Sequence, residues 1–273
     1  MSRNKTGGNA AMPSLSYLIN LANKAGSIIL ENFFKNGTTE WKNDGTPVTE
    51  TDKKINDLVL ESFSKDFSKI SVCAEEESVD VLRSNVKVIC DPLDGTSAFL
   101  SGVPVSTFCL AIIFFDVPFR AVIYDPFLSR MWCAEKNKGT FLNGERISVS
   151  THATLKKSMV CVVYWNNAPY KLDLVSNEII RRGAIWSSPG SIAYFGALVA
   201  SGKFHATIFP GSKPLETAAM QLIVEEAGGK ATDVFGKPLR YDKGNISGHI
   251  ISNGRIHDEL IEIVALYQPK VGL

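Results

Sequence analysis

Two aspartates, Asp91 and Asp94, close an apolar run in the stretch VKVICDPLDGTSAF, residues 86–99. Acids at the end of such a run are either turn formers or ligands for something positively charged. If VKVIC is a strand buried on both faces, its end opens into a cleft of the sheet, where open α/β folds place ligands. Two carboxylates close together in a cleft repel, so one takes up a proton or a cation lies between them. A hard divalent ion such as Mg²⁺ suits oxygen ligands and is commonly held by few carboxylates plus substrate phosphate. Pro92 stiffens the segment between the acids, and Gly95 lets the backbone turn tightly. A helix starting after Thr96-Ser97 would offer free amides to an anion. Cation ligands beside a phosphate cradle are what metal-assisted phosphoryl transfer requires.

Further acids stand at loops or element ends: Asp52 at a helix start, Glu75, Glu76 and Glu77 after ISVCA, and Glu216 at the opening of a late helix. Taken singly, each has an ordinary reading as a helix cap or a solvated loop. Rival phosphatase chemistries fit poorly. A cysteine phosphatase needs Arg six positions after Cys, but the residues there are Val79, Thr96, Phe115, Gly139 and Asn167. A covalent aspartyl route at LDGT needs an aspartate two before Asp94, and that residue is Pro92. His152, His205, His249 and His257 lie in unrelated segments and suggest no zinc cluster. No G-x-x-x-x-G-K-[ST] loop is present.

These acids need elements to hold them. Residues 14–34 place Leu18, Leu21, Ala22, Ala25, Ile28 and Ile29 on one face at helical spacing, with Ser14 or Ser16 as cap. The loop KNDGTPVTETD precedes a second helix marked by Ile55, Leu58, Val59 and Phe63, with Thr49 and Asp52 as a capping box. Strand patterns follow in VKVIC, VSTFCLAIIFFD, FRAVIYDP, RMWCAEK and GTFLNGERI. After residue 157 the reading is a strand in SMVCVVYW, a helix over 191–201, a strand in FHATIF, a helix over 215–227 stopped by Gly228-Gly229, a strand in GHIISN and a helix in HDELIEIVALYQ. This alternation predicts layered α/β lobes with a boundary near residue 150.

The 273 residues, 45% hydrophobic and 21% charged, suit a globular protein with a substantial core. A net charge of +1 argues against a nucleic-acid polymer or an anionic membrane as partner. No apolar run approaches the roughly 18 residues of a membrane span. The polar start MSRNKTGGNAAMPS lacks the apolar core of a signal peptide and reads as a frayed tail. The five scattered cysteines read as buried thiols in a reducing cytoplasm.

DPLDGTSAF resembles the D-P-[LI]-D-G-T-x-x-F signature of the inositol monophosphatase family of Mg²⁺-dependent, lithium-sensitive phosphatases. PVTETD, AEEES, PGSIA (189–193) and KPLETAAMQLIVEEAGG resemble four further family segments, in the family's order, over roughly residues 14–262. The resemblance implies a five-layer αβαβα sandwich of the sugar phosphatase type. Residues 1–150 would form an α+β lobe carrying most metal ligands. Residues 151–273 would form an α/β lobe carrying the substrate pocket and the last ligand.

The resemblance also implies two to three Mg²⁺ ions held by Glu75, Asp91, the Leu93 carbonyl, Asp94 and Glu216. Thr96, Asp52 and Glu75 would act in catalysis. Gly95 and Thr96 amides, Lys42, Gly190, Ser191 and Ala193 would meet phosphate and substrate. The implied reaction is in-line attack by metal-activated water on a small phosphorylated metabolite, without a phosphoenzyme, in a cytoplasmic homodimer. Inositol 1-phosphate is the first candidate substrate. A nucleotide bisphosphate, histidinol phosphate and fructose 1,6-bisphosphate are the others, and a weakly active homologue with a binding role is the reading of a different class.

The family's P-W-D is Pro214-Leu215-Glu216 here, which lengthens one ligand by a methylene, and misplacement by about 1 Å costs roughly a hundredfold in rate. Phe209 stands where inositol-specific members carry Glu, and Lys213 lies near as a candidate for a second anionic group. The acidic triplet leaves Glu75 and Glu76 as alternative ligands.

Overall fold

The computed structural model describes residues 12–35, 39–42, 47–81, 84–165, 168–188, 190–242 and 244–267. The tail expected before residue 12 and part of the loop between Lys42 and Pro47 lie outside the described residues.

The chain opens with α1 (Leu15–Asn32), capped by Ser14, whose hydroxyl accepts from the Tyr17 amide at 3.2 Å. A small hairpin of β1 (Thr39–Trp41) and β2 (Pro47–Thr49) leads into α2 (Glu50–Asp66). Then come β3 (Ser71–Ala74), β4 (Val86–Asp94), the short α3 (Thr96–Leu100), β5 (Thr107–Phe114), β6 (Val117–Asp125), β7 (Arg130–Glu135), β8 (Gly139–Leu142) and β9 (Glu145–Arg146). Strands β3 to β9 form a seven-stranded sheet in sequence order; β3 runs parallel to β4, and the later pairs are antiparallel. The remaining elements are β10 (Met159–Val162), α4 (Leu172–Arg181), β11 (Ile185–Ser187), α5 (Ile192–Ala200), β12 (Ala206–Phe209), α6 (Thr217–Glu226), β13 (Lys230–Thr232), β14 (His249–Ser252) and α7 (His257–Tyr267). Their strands make a five-stranded sheet in the order β11-β10-β12-β14-β13. The strand expected in SMVCVVYW stops at Val162, so Tyr164 and Trp165 lie beyond it.

Side-chain alternation sorts the molecule into five layers. On β5, Phe108, Leu110 and Ile112 face α1 and α2, while Cys109, Ala111 and Ile113 face α5 and α6. On β10 and β14, Cys161 and Ile251 join that same α5–α6 core, while Val160, Val162 and Ile250 pack toward α4 and α7. The order is α1/α2, large sheet, α5/α6, small sheet, α4/α7, the expected αβαβα sandwich. Of the cysteines, Cys90, Cys109, Cys133 and Cys161 are buried; Cys73 is only half-buried, because it sits on the edge strand β3.

Two histidines are locked inside the small-sheet lobe. His249 meets the Thr217 hydroxyl at 2.9 Å, and His257 meets Ser252 at 2.8 Å and Thr232 at 3.0 Å. Burial lowers their pKa values to about 3 and about 4, so both are neutral in the fold. The unfolded chain takes up these protons near pH 6.5. Their contribution is therefore whole above that pH and is lost as pH falls toward the folded values, by up to ~1.4 kcal/mol per pH unit for each. Buried carboxylates slope the opposite way, so the readout is a difference. Urea midpoints of wild type and His257→Gln should diverge between pH 7 and pH 5, with the wild type losing more; parallel curves would refute this.

Candidate active site

Strand β4 carries both signature aspartates to its end, Asp91 5% and Asp94 8% exposed. Between them the pairing slips: Asp91 faces Cys109 and Asp94 faces Thr107, so β4 advances three residues while β5 advances two. Pro92, lacking an N–H, sits inside this bulge. The Leu93 amide donates to Asp91 Oδ1 at 3.0 Å, which aims that carboxylate. Gly95 then turns the chain at φ +91°, and a Cβ there would stand 2.9 Å from Ser191 Cβ and 3.1 Å from the Gly190 carbonyl oxygen. Only glycine satisfies both the backbone and the close approach. The turn thus brings the DGT segment against the GS segment of the other half of the chain.

Asp52 reaches the same place from the first turn of α2. The expected capping box forms: Asp52 Oδ2 accepts from the Thr49 amide at 2.8 Å and from its hydroxyl. That leaves Oδ1 for the Thr96 hydroxyl, 3.1 Å away; the same hydroxyl lies 3.1 Å from the Leu93 carbonyl oxygen. One hydroxyl proton serves one acceptor at a time, so the Thr96 oxygen keeps lone pairs for a further donor.

Ser191 Oγ donates to Asp94 Oδ2, and the Ala193 amide donates to the same oxygen at 2.9 Å. Ser191 also caps α5 through the Tyr194 amide and lies 3.3 Å from Thr107 Oγ1. The polar groups of Ser191 and Ala193, read in the sequence as pocket lining, are engaged in holding Asp94. Gly190 sits at φ +111°, pressed against Ala98. Glu216 occupies the N-cap of α6, 5% exposed, and accepts from Thr217 Oγ1 at 3.2 Å.

These acids feel one another. Burial first, then Glu75, Asp94, Glu216 and Asp52, push the Asp91 carboxyl far above its ordinary range. Burial raises Asp94 to about 6, against the donors that hold it, and raises Glu216 to about 8 with Asp94 as its leading charged neighbour. Asp52 rises mainly through burial, with Glu75 adding to it. Glu75 recurs among the leading charged neighbours of Asp52, Asp91, Asp94 and Glu216, and Glu76 is not among the leading ones of Asp91, Asp94 or Glu216. Of the triplet, Glu75 therefore faces the cluster.

Among the described residues, neither Asp91, Asp94 nor Glu216 forms an ion pair. Nor do three acidic, histidine or cysteine side chains converge tightly enough among these residues to make a finished metal shell. Buried carboxylates raised by mutual repulsion are nonetheless a donor set suited to a hard divalent cation, so the fit is chemical more than geometric. A separate apolar hollow of about 420 Å³, lined by Leu30, Phe33, Phe34, Phe127 and Leu128, offers no group for such chemistry.

Lys42 lies 2.8 Å from Glu75 and 2.6 Å from Glu76 and occupies Glu75 as an internal counter-ion. The Glu76 contact was missed in the sequence, where a pair 34 residues apart leaves no local pattern. Lys42→Met should tighten Mg²⁺ binding by up to about fivefold, the ~1 kcal/mol of a partly exposed pair. Isothermal titration reads this directly; unchanged affinity would place Lys42 outside the competition.

With this geometry in view, the sequence pattern of the inositol monophosphatase family matches residues 12–268. The chain belongs to the inositol monophosphatase family. It is 30% identical to a fructose-1,6-bisphosphatase/inositol-1-monophosphatase of Thermotoga maritima, over 96% of this chain and 99% of that one. It is 31% identical to a histidinol-phosphatase of Chlorobaculum parvum, covering 82% and 87%. A solved structure of a Thermotoga maritima IMPase superposes with TM-score 0.84 at 28% identity, covering 92% and 96%. The protein is thus a phosphatase of this superfamily, whose members are generally metal-dependent.

Proposed function

We propose that the chain is a Mg²⁺-dependent phosphomonoesterase that hydrolyses a small phosphorylated metabolite with water as nucleophile. The observation that carries the reading is the Thr96 hydroxyl, 3.1 Å from both Asp52 Oδ1 and the Leu93 carbonyl oxygen, at the rim of the buried acids. In this reading Glu75, Asp91, the Leu93 carbonyl, Asp94 and Glu216 hold two to three ions. Bound ions would supply charge neutralisation and a more acidic water. Thr96 accepts a hydrogen bond from the attacking water and passes its own proton toward Asp52, whose raised affinity for a proton suits it to receive one. The amides of Gly95 and Thr96 and the Lys42 ammonium meet the phosphate, and Gly190 gives the substrate room. Ser191 and Ala193 fix the direction of Asp94.

The family resemblance puts inositol 1-phosphate first as substrate, and the relatives' names add fructose 1,6-bisphosphate and histidinol phosphate as leaving-group chemistries of the same fold. We also propose the homodimer as the working unit, read by light scattering. Four buried thiols fit a reducing cytoplasm, and no described helix is long and apolar enough to cross a membrane. The test is inorganic phosphate release over a panel of phosphomonoesters, with and without Mg²⁺ and with Li⁺ as competitor. Mg²⁺-dependent release from at least one is expected; release from none would refute the reading.

A further inference from the structure

We propose that Tyr164, Trp165, Trp186 and Phe209 form a stacking wall that receives a planar heteroaromatic ring in the substrate's leaving group. The proposal rests on the phosphatase reading above and names the substrate class of that site.

Position comes first. Strands β10, β11 and β12 run parallel, so their carboxyl ends share one edge of the small sheet. Tyr164 and Trp165 follow β10, Trp186 lies in β11, and Phe209 ends β12. The same edge delivers Ser191 at the head of α5 and Glu216 at the head of α6. Wall and acids therefore stand on one rim, where open α/β sheets take ligands.

The rings meet in pairs. Trp165 and Phe209 have centroids 5.9 Å apart, and Tyr164 and Trp186 have centroids 6.3 Å apart. Phe209 is the anchor. Its ring lies 5.6 Å from that of His249 and so close over Gly211 that a Cβ there would come within 2.1 Å of it. His249 in turn meets Thr217, which donates to Glu216. The wall is thereby tied through two side chains, His249 and Thr217, to an acid of the cluster.

The other three rings are open to ligand: Trp165 is 47% exposed, and Tyr164 and Trp186 are each 40% exposed. The Trp186 Nε1 donates to the Val162 carbonyl at 3.1 Å, so that ring is held and its polar atom is used, leaving its faces. Lone exposed aromatics need no explanation, but four drawn from three strands to one rim form a patch. Aromatic faces give a polyol's hydroxyls no directional partner, whereas a planar ring stacks on them at little conformational cost.

The test uses the Mg²⁺-loaded full chain and two kinds of substrate. Adenosine 3′-monophosphate and histidinol phosphate carry rings; myo-inositol 1-phosphate and glycerol 2-phosphate do not. Trp165→Ala should raise KM about tenfold for the ring-bearing substrate that is turned over, with kcat and both polyol substrates unmoved, and Trp165→Phe should restore most of the loss. The purine and imidazole arms tell which ring is favoured. Equal effects on ring and polyol substrates, or no effect on either, overturn the wall. Fluorescence titration with adenosine and histidinol, which carry no phosphate, gives an independent reading. Quenching by one of them in wild type, weakened in Trp165→Ala, supports the wall even if no phosphomonoester is hydrolysed, a result that would sink only the phosphatase reading. Absent quenching together with polyol turnover sinks only the wall.

Discussion

Asp91→Asn should reduce Mg²⁺-dependent phosphate release by a thousandfold or more while raising the thermal midpoint of the protein in chelator. The first half follows from its place in the proposed site, where several kcal/mol of charge stabilisation would be lost, each ~1.4 kcal/mol being a tenfold change in rate. The second half follows from burial. Asp91 is 5% exposed and shares its surroundings with Glu75, Asp94, Glu216 and Asp52. Asparagine has the same shape, and its amide oxygen keeps the bond from the Leu93 amide. A neutral group removes repulsion that the fold otherwise carries. The midpoint should rise by a few degrees in EDTA, and added Mg²⁺ should stabilise wild type more than the variant. An inactive but less stable variant would mean that Asp91 is a structural acid.

Thr96→Val should lower kcat by a hundredfold or more with KM little changed. Valine nearly reproduces the volume but removes the one hydroxyl that lies 3.1 Å from both Asp52 Oδ1 and the Leu93 carbonyl oxygen. Positioned proton transfer of this kind is worth roughly 10²–10⁴-fold. Asp52→Asn should give a similar loss. If the two residues act as one device, the double variant should be little worse than either single one. Losses that multiply would separate Asp52 from Thr96. Asp52 also closes the capping box of α2, so its variant should lose stability that Thr96→Val retains.

Much of this architecture was legible because it is written locally. Leu18, Leu21, Ala22, Ala25 and Ile29 mark the buried face of α1 by spacing alone, and the Thr49–Asp52 box announces α2. The run VSTFCLAIIFFD reads as a strand, and β5 occupies its middle, Thr107–Phe114, buried along nearly its whole length. The short elements β1, β2, β11 and β13 were not expected; three residues carry no period, and pairing with distant partners makes them strands. The helix α4 was missed although Leu172, Val175 and Ile179 carry its signal at i, i+3 and i+7.

In the site, motif residues were readable one by one, but their partners were not. That Ser191 holds Asp94, 97 residues away, follows from α5 packing against the inner face of the large sheet, and no window of sequence contains it. The same holds for Trp186 beside Tyr164 and for Lys42 between Glu75 and Glu76.

The α5–α6 layer has a further consequence. These helices come from the second half of the chain, yet they cover the inner faces of both sheets within one apolar cluster. A chain severed between residues 150 and 158 would leave the first fragment with Asp52, Glu75, Asp91 and Asp94 and with Ala111 and Ile113 bare to water. The second fragment would hold Glu216 and the helices that cover them. Neither piece has a finished interior, so the halves should melt as one cooperative unit. Two separately expressed fragments should regain activity only on mixing, and recovery should track complex formation at the pace of a bimolecular association.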